Sequence, residues 1–253
     1  MTNRTIDVYT LIKPEIIKLR KSNIETANLD CRLLLSKSMN RNKTLYNHET
    51  IDISENEIKT FQDLVQERLS GKPVSRIINK RNFWKNEFKL NEQCLDPRPD
   101  SETLIDAILG EYLNKSKNLK ILDLGSGTGC LGLSLLDEYK NSLASFVDIS
   151  KKSLEIVKIN ALKLGLSKRS KFINLDWKDV DWDIKLMKIE DRIKFDIIIS
   201  NPPYISTEDI KNLQKEVKNY DPYIALNGGK DGLDAFKCII PKLKNILKKD
   251  GKV

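Results

Sequence analysis

The alternation of short apolar segments with helical segments after residue 119 constrains the fold of this chain more than any other feature. Four apolar segments, at 120–124, 144–148, 171–175 and 195–200, have the length of buried strands, and segments with helical spacing of apolar residues separate them. Strands that alternate with helices form a parallel sheet with helices on both faces. We therefore predict an α/β, doubly wound fold for this part of the chain.

The N-terminal part shows a helical pattern, with apolar residues at three- and four-residue intervals from Ile6 to about Leu69. Ser54 and Glu57 form a capping-box pair at the start of the third predicted helix, and Gly71 is suited to end that helix. These segments predict a small helical bundle.

The change of pattern divides the chain into three parts. After the bundle, G-K-P-V at 71–74 gives loop signals, and a short β-like alternation follows. A predicted helix ends at Gly251 and a fifth strand is expected to begin at Val253, so we expect the C-terminal strands of the fold to be missing. The predicted parts are a helical domain at 1–72, a linker with a β-hairpin at 73–96, and a catalytic domain at 97–253.

Charge and reactive residues exclude several classes of protein. The chain has a net charge of +8, but its basic residues are scattered along amphipathic segments, so nucleic-acid binding is only weakly indicated. The four cysteines contain no C-x-x-C pair and His48 is the single histidine, so no metal site, dithiol site or Ser-His-Asp triad is predicted. No stretch approaches the ~18 apolar residues of a membrane span, and the N-terminus lacks a signal sequence, so we expect a cytoplasmic protein.

The sequence D-L-G-S-G-T-G at 123–129 lies between a predicted strand and a predicted helix, where glycines allow the backbone to turn sharply and approach a ligand closely. A dinucleotide fingerprint requires a third glycine at the position of Cys130, and a P-loop requires a Gly-Lys-Ser/Thr sequence that this turn lacks. The remaining interpretation is the D-x-G-x-G-x-G turn that is typical of S-adenosylmethionine-dependent methyltransferases.

Acidic and aromatic residues follow the next two predicted strands. Asp148 ends the second strand 23 residues after Gly125, close to the ~20-residue interval at which an acid binds ribose hydroxyls in such folds. Asp176 and Trp177 end the third strand at the same edge, where a polar group and a flat ring could contain adenine; packing of Trp177 in the core is the alternative. Asp123 is predicted to support the glycine turn and the amino-acid end of the cofactor rather than to act as a base.

The sequence S-N-P-P-Y-I at 200–205 directly follows the fourth strand, and its two prolines cannot continue a strand ladder because each lacks an N–H group. The Asn201 side-chain oxygen and the Pro202 carbonyl are left as acceptors that point into the crevice between strands one and four, which are neighbours in methyltransferases. A pair of acceptors suits an NH₂ group, because it positions the nitrogen and stabilises the positive charge that develops during methyl transfer. Tyr204 can lie against a planar substrate group.

This site admits two kinds of substrate. Adenine and the glutamine side chain both present a planar, conjugated NH₂ group, so N-P-P-Y by itself does not choose between nucleic acid and protein. No strong base is required, since the proton becomes acidic as the new bond forms, and this agrees with the single histidine.

The motifs, taken in order, resemble those of the family of peptide chain release factor glutamine methyltransferases. The similarity runs from about residue 71 to the end of the chain and is weaker in the helical part. It includes G-K-P-V, R-N-F-W-K-N-E-F, P-R-P-D-S-E at 97–102, D-L-G-S-G-T-G, S-N-P-P-Y-I, and E-V-K-N-Y-D-P-Y-I-A-L-N-G-G-K-D-G-L at 216–233. The resemblance implies a Rossmann-like class I S-adenosylmethionine-dependent methyltransferase domain, preceded by a helical bundle that helps to engage a protein partner.

The resemblance also implies a function in translation termination. The chain is expected to methylate the side-chain amide nitrogen of the glutamine in the Gly-Gly-Gln motif of class I release factors, with no direct need for nucleic acid, and we expect a monomer. The alternatives are a ribosomal-protein glutamine methyltransferase, a DNA or RNA adenine amino-methyltransferase, and a cofactor-binding fragment without catalysis.

The resemblance assigns roles to individual positions. Arg98 and Glu102 are expected either in the crevice wall or in interdomain salt bridges. The predicted cofactor-binding residues are Gly125, Ser126, Gly127, Thr128, Gly129, Asp148, Trp177 and Asn201; the predicted substrate-binding residues are Asn201, Pro202, Pro203 and Tyr204; and the predicted catalytic residues are Asn201, Pro202 and Tyr204.

Overall fold

A computed structural model describes residues 3–253 and divides the chain into two compact units. The first unit extends to Asn79, and the second comprises Lys80–Val253. The segment 73–96, predicted as a linker with a hairpin, is therefore shared between the two units.

The first unit combines four helices with a two-stranded sheet. Its third helix begins with the predicted capping box: Ser54 Oγ accepts from the Glu57 N–H at 3.3 Å, and the Ser54 N–H donates to Glu57 Oε2 at 2.8 Å. Gly71 follows that helix with a φ of +94°, as predicted for a helix stop. The elements are β1 (Asn3–Asp7), α1 (Val8–Lys21), α2 (Ala27–Ser38), β2 (Thr50–Ser54), α3 (Glu55–Leu69) and α4 (Val74–Ile78).

The structure corrects two predictions: the N-terminal part is not purely helical, and part of the predicted linker is a helix. Strands β1 and β2 pair in antiparallel register, with Ile6 opposite Ile51, and α4 lies in the segment predicted as a linker. The sequence T-I-D-I-S alternates polar and apolar residues, and Ile51 and Ile53 are buried while their neighbours are more exposed. This period of two indicates a strand, and the helical spacing on either side masked it.

The second unit begins with a β-hairpin, as predicted, and continues with alternating helices and strands. The hairpin turns at Trp84, whose φ is +55° and whose indole N–H donates to Glu138 Oε1 at 2.8 Å. The elements are β3 (Lys80–Phe83), β4 (Asn86–Lys89), α5 (Glu102–Glu111), β5 (Lys120–Leu124), α6 (Cys130–Glu138), β6 (Leu143–Asp148), α7 (Lys151–Lys163), β7 (Ser170–Asn174), α8 (Trp182–Ile189), β8 (Phe195–Ile199), α9 (Lys215–Tyr220), α10 (Tyr223–Leu226), α11 (Asp234–Ile246) and β9 (Leu247–Lys252).

The central sheet has the strand order β7-β6-β5-β8-β9, and all of its strands are parallel. The four strands predicted from the sequence are confirmed to within a residue of their predicted limits. The first and fourth predicted strands, β5 and β8, are neighbours, with Asp123 opposite Ile199. Their carboxyl ends, which carry the glycine turn and the Asn-Pro-Pro-Tyr segment, therefore lie side by side.

The last strand begins earlier than predicted. Helix α11 ends at Ile246 rather than at Gly251, and β9 begins at Leu247 rather than at Val253. Leu247 pairs with Phe195 of β8, so the sheet supplies hydrogen bonds to backbone groups that a longer helix would have satisfied internally.

No helix in the described part of the chain is both long and apolar enough to cross a membrane. A search of residues 3–253 finds no cluster of histidine, cysteine or acidic side chains that could hold a metal ion. None of the four cysteines forms a disulfide within residues 3–253, and His48 lies in an exposed loop, stacked on Tyr46 at 5.8 Å between ring centres.

Candidate active site

A cavity of about 660 Å³ opens at the carboxyl ends of the central strands of the second unit. Eight of the predicted site residues line it, whereas the other three predicted residues, Gly129, Pro202 and Tyr204, do not. Pro202 is buried, and the Tyr204 side chain is 61% exposed. The predicted residues in the lining are Gly125, Ser126, Gly127, Thr128, Asp148, Trp177, Asn201 and Pro203.

The glycine turn between β5 and α6 forms one wall of the cavity. Gly125, Gly127 and Gly129 have φ values of +79°, +54° and +77°, a region that favours glycine because it has no Cβ. The N–H groups of Gly125 and of the next residue donate to the Val147 carbonyl at 2.8 and 3.0 Å, and the Gly127 N–H donates to Asp148 Oδ2 at 2.8 Å. The carboxyl end of β6 thus fixes the conformation of the turn.

The turn leaves room for a ligand to approach its backbone. A Cβ at Gly125 would lie 2.9 Å from the Trp177 ring, while a Cβ at Gly127 would have nothing within 4 Å. Ser126 is buried and lines the cavity, and its hydroxyl has no hydrogen-bond partner among residues 3–253. A buried polar atom without a partner is costly, so this hydroxyl fits a ligand that supplies one.

Asp148, at the end of β6, lines the cavity next to the glycine turn. Its Oδ2 accepts from the Gly127 N–H and its Oδ1 accepts from the Ser150 N–H, both at 2.8 Å. Burial raises the pKa of this carboxyl, and the two backbone hydrogen bonds oppose that shift. Each oxygen retains a second lone pair, so the carboxylate can also accept from the two hydroxyls of a ribose.

Asp123 lies beneath the turn, 1% exposed and outside the cavity lining. It accepts from the Gly132 N–H at 2.9 Å and so holds the first turn of α6. Burial raises the pKa of this carboxyl to about 7. This position supports the prediction that Asp123 stabilises the turn.

Asn201 faces the glycine turn from the carboxyl end of β8. The Ser200 hydroxyl donates to the Leu124 carbonyl at 2.6 Å and ties the ends of β8 and β5 together. The Asn201 Nδ2 donates to Ser101 Oγ at 3.2 Å, which directs the amide oxygen away from Ser101. That oxygen has no hydrogen bond within residues 3–253, so it is available to accept from a ligand.

Sequence reasoning assigned no role to the loop between α10 and α11, which supplies part of the cavity wall. Gly232 has a φ of +76°, and a Cβ there would lie 2.4 Å from the Tyr204 carbonyl oxygen. The Gly228 N–H donates to the Ile205 carbonyl at 2.8 Å, and Asn227 and Gly229 of the loop line the cavity. The glycine-rich sequence N-G-G-K-D-G was the available signal for such close backbone packing.

The segment P-R-P-D-S-E is only partly in the cavity wall. Arg98 lines the cavity and forms an ion pair with Asp221 of the same unit. Glu102 lies outside the lining and accepts from the Trp84 N–H at 2.8 Å. Arg98 is thus in the crevice wall, as one of the two interpretations of the sequence expected.

Comparison with protein families gives two matches along the chain. Residues 16–78 match the PrmC N-terminal domain, and residues 101–219 match the Methyltransferase small domain. The second match includes the glycine turn, Asp148, Trp177 and the Asn-Pro-Pro-Tyr segment.

Curated relatives cover most of the chain. A release factor glutamine methyltransferase from Bradyrhizobium diazoefficiens is 35% identical over 92% of this chain and 76% of its own length. One from Clostridium acetobutylicum is 35% identical over 95% of this chain and 83% of its own length. A bifunctional methyltransferase from Rickettsia prowazekii is 35% identical over 93% of this chain, which spans about half, 47%, of that longer protein.

Proposed function

The chain belongs to the family of release factor glutamine methyltransferases, and from this we propose that it methylates the side-chain amide nitrogen of a release factor glutamine. The methyl donor is S-adenosylmethionine, and the second unit has the Rossmann-like class I methyltransferase fold. We propose the glutamine of the Gly-Gly-Gln motif of class I release factors as the acceptor.

The cavity fits the methyl donor. Gly127 faces open space, the buried Ser126 hydroxyl lacks a partner within the described residues, and Asp148 has lone pairs free for ribose hydroxyls. Trp177 lines the same cavity as a flat apolar surface that suits adenine. When bound, S-adenosylmethionine supplies a methyl group that its sulfonium charge activates for transfer to a nucleophile.

The glutamine amide is a weak nucleophile because its nitrogen lone pair is delocalised into the carbonyl group. We propose that Asn201 Oδ1 accepts one hydrogen of that NH₂ group and orients its nitrogen, and that the carbonyl of Pro202, a buried residue next to the cavity lining, accepts the other. As the nitrogen gains positive charge, these two oxygens stabilise it by charge–dipole attraction. The same charge makes the N–H proton acidic, so solvent water can take it up and no strong base is required from the chain.

The observation that carries this proposal is the orientation of Asn201. Its Nδ2 donates to Ser101 Oγ, which leaves Oδ1 as the free acceptor among residues 3–253, and Asn201 lines the cavity that the glycine turn also lines. An acceptor in that position suits an NH₂ substrate. It would repel an alkoxide or a carboxylate, because neither has a hydrogen to donate. Methylation of a ribosomal-protein glutamine or of an adenine amino group uses the same contact, so these remain the alternatives.

We further propose that the chain acts as a monomer on isolated release factor, without a direct contact to nucleic acid. Release factors work on translating ribosomes, so the proposal includes a cytoplasmic location. Light scattering of the purified chain tests the monomer, and methylation of release factor in the absence of RNA tests the independence from nucleic acid.

Parallel incubations with three candidate substrates test which of them the chain methylates. The chain is incubated with methyl-labelled S-adenosylmethionine and, separately, with a class I release factor, a ribosomal protein and adenine-rich DNA, and tandem mass spectrometry locates the label. The proposal expects one methyl group on the side chain of the Gly-Gly-Gln glutamine. Label on adenine, or only on the ribosomal protein, would overturn it in favour of the corresponding alternative.

A further inference from the structure

Asn160, in helix α7, makes contacts that link the glycine turn to the β-hairpin. It is 1% exposed. Its Oδ1 accepts from the Lys89 N–H at 2.8 Å, and its Nδ2 donates to the Lys89 carbonyl at 3.0 Å and to the Thr128 carbonyl at 2.9 Å. Both hydrogens of the amide are thus in use, and the side chain pairs with Lys89 as a neighbouring peptide group would.

The contact with Thr128 fixes one peptide plane of the turn. The Thr128 carbonyl and the Gly129 N–H belong to the same planar peptide, and the Gly129 N–H donates to the Ser126 carbonyl at 2.7 Å. Asn160 therefore holds one side of this plane while the turn itself holds the other. The Gly127 N–H, two residues earlier, is held by Asp148, so two side chains from different elements fix two peptides of the turn that are separated by a single peptide.

Helix α7 also holds the segment that leads into the cavity wall. Lys163 Nζ donates to Glu87 Oε1 at 2.7 Å, and the Ser153 hydroxyl donates to the Gln93 carbonyl at 3.2 Å. Gln93 lines the cavity. Of these three α7 residues, only Asn160 contacts both the hairpin strand β4 and the glycine turn.

We propose that Asn160 is a positioning residue for the methyl donor. It holds the glycine turn in the conformation that binds S-adenosylmethionine and couples that conformation to the β3–β4 hairpin. This inference rests on the proposed function only for the identity of the cofactor. Its effect is on donor binding and on the order of the turn, because Asn160 does not line the cavity and contacts neither ligand.

The test compares Asn160→Ala with Ser142→Ala. Ser142 is also fully buried, and its hydroxyl makes two backbone hydrogen bonds where Asn160 makes three: it accepts from the Leu119 N–H at 2.9 Å and donates to the Lys117 carbonyl at 3.0 Å. Ser142 lies at the other end of the sheet. Titration calorimetry with S-adenosylhomocysteine measures affinity, and hydrogen exchange measures the protection of the Gly129 N–H.

The Asn160→Ala variant is expected to bind S-adenosylhomocysteine roughly tenfold more weakly, because a buried carbonyl of the turn loses its donor. Faster exchange at Gly129 is expected with it. The Ser142→Ala variant is expected to remain within about twofold of wild type in affinity, although it loses a similar number of hydrogen bonds. In methylation assays the KM for the methyl donor rises while the KM for release factor does not change.

Equal affinity of wild type and Asn160→Ala, or an equal loss in Ser142→Ala, would overturn the inference. If Asn160→Ala does not fold, Asn160→Ser takes its place, because serine keeps one hydroxyl donor. The same measurements apply, and a smaller loss of affinity is expected. A wild-type chain that binds S-adenosylhomocysteine but does not methylate release factor would contradict the proposed function and leave this inference standing.

Discussion

Glu190, at the amino end of the central sheet, and Asp123 and Asp148, at its carboxyl end, are buried carboxylates with opposite electrostatic surroundings. At the amino end, Glu190 is 2% exposed and its carboxylate contacts Lys120 Nζ at 2.8 Å, Lys171 Nζ at 3.5 Å and the Ser145 hydroxyl at 2.8 Å. At the carboxyl end, Asp123 and Asp148 are buried, and no ion pair to either is found within residues 3–253.

The pKa values follow this difference. Burial would raise the pKa of Glu190, but the hydrogen bonds from Lys120 and Ser145 and the lysine charges outweigh it and lower the pKa. Burial dominates at Asp123 and Asp148 and raises both pKa values. The Glu190 carboxylate is therefore neutralised within the protein and stabilises the fold. At the carboxyl end, the Asp148 carboxylate has no counter-charge among the described residues and keeps hydrogen-bonding capacity for a ligand.

Asn201→Ala tests the carboxyl end and has the largest expected effect. Loss of the acceptor oxygen is expected to lower kcat for glutamine methylation by about 100-fold or more, by analogy with the loss of one preorganised polar group at other active sites. The melting temperature is expected to stay near that of wild type, because Asn201 is only half-buried. Steady-state kinetics and calorimetric melting measure the two quantities, and an active variant would contradict the assignment.

Glu190→Gln tests the amino end. The variant is expected to lose about 2–3 kcal/mol of unfolding free energy at neutral pH, because it leaves the two lysines without their counter-charge. A carboxyl with a lowered pKa stabilises the fold above its ordinary value of 4.5 and loses that contribution as the pH falls through the folded-state pKa. The difference from wild type in urea unfolding should therefore shrink in acid. Methylation per folded molecule is expected to stay unchanged, and a catalytic defect would contradict the division between the two ends.

Asp123→Asn gives a pH dependence of the opposite sign. The unfolded carboxyl loses its proton near pH 3.8 and the folded one near pH 7, so the folded state binds more protons between these values and its stability falls as the pH rises. In the variant, the unfolding free energy does not fall with pH in this way. For one group the change is at most about 1.4 kcal/mol per pH unit. Urea unfolding of both proteins between pH 5 and 8 measures it. Parallel curves would show that Asp123 is ionised normally.

Gly127→Ala has the smallest expected effect, on the stability of the unliganded chain. Its cost is expected to be about 1 kcal/mol, from the positive φ of +54° alone, because a Cβ there meets nothing within 4 Å. Gly132→Ala is the comparison, since its Cβ would lie 2.6 Å from the Phe146 ring. Urea unfolding should show a clearly larger loss for Gly132→Ala, and equal losses would argue against an open turn.

The sequence predicted the carboxyl end of the sheet better than the rest, for a physical reason. Strand–helix alternation and the glycine spacing are local signals, and they were sufficient to predict β5 and the turn, whereas the pairing of β5 with β8 was predicted from the strand order of methyltransferases. The presence of Asn201 and Asp148 in the cavity wall was predictable because each lies at the carboxyl end of a predicted strand. By contrast, Asn160 reaches the turn across 32 residues of sequence, and no local pattern distinguishes it from other polar helix residues.

The first unit shows the same limit. The T-I-D-I-S strand becomes stable only by pairing with Asn3–Asp7, more than 40 residues earlier, so helical spacing around it gave the stronger local signal. The ion pair between Arg98 and Asp221 is equally non-local. The side chain of Tyr204, predicted from the motif to contact the substrate, is outside the cavity lining, and its role stays a prediction.

The central claim is that an acceptor oxygen at the end of β8 holds the NH₂ group that is methylated. A crystal structure of the chain with S-adenosylhomocysteine and a peptide containing the Gly-Gly-Gln glutamine measures the distance from Asn201 Oδ1 to the glutamine Nε2. We predict a hydrogen bond of about 2.7–3.2 Å, with the nitrogen facing the sulfur of the cofactor. A glutamine bound with its carbonyl oxygen toward Asn201, or an Asn201 turned away from the peptide, would contradict the account.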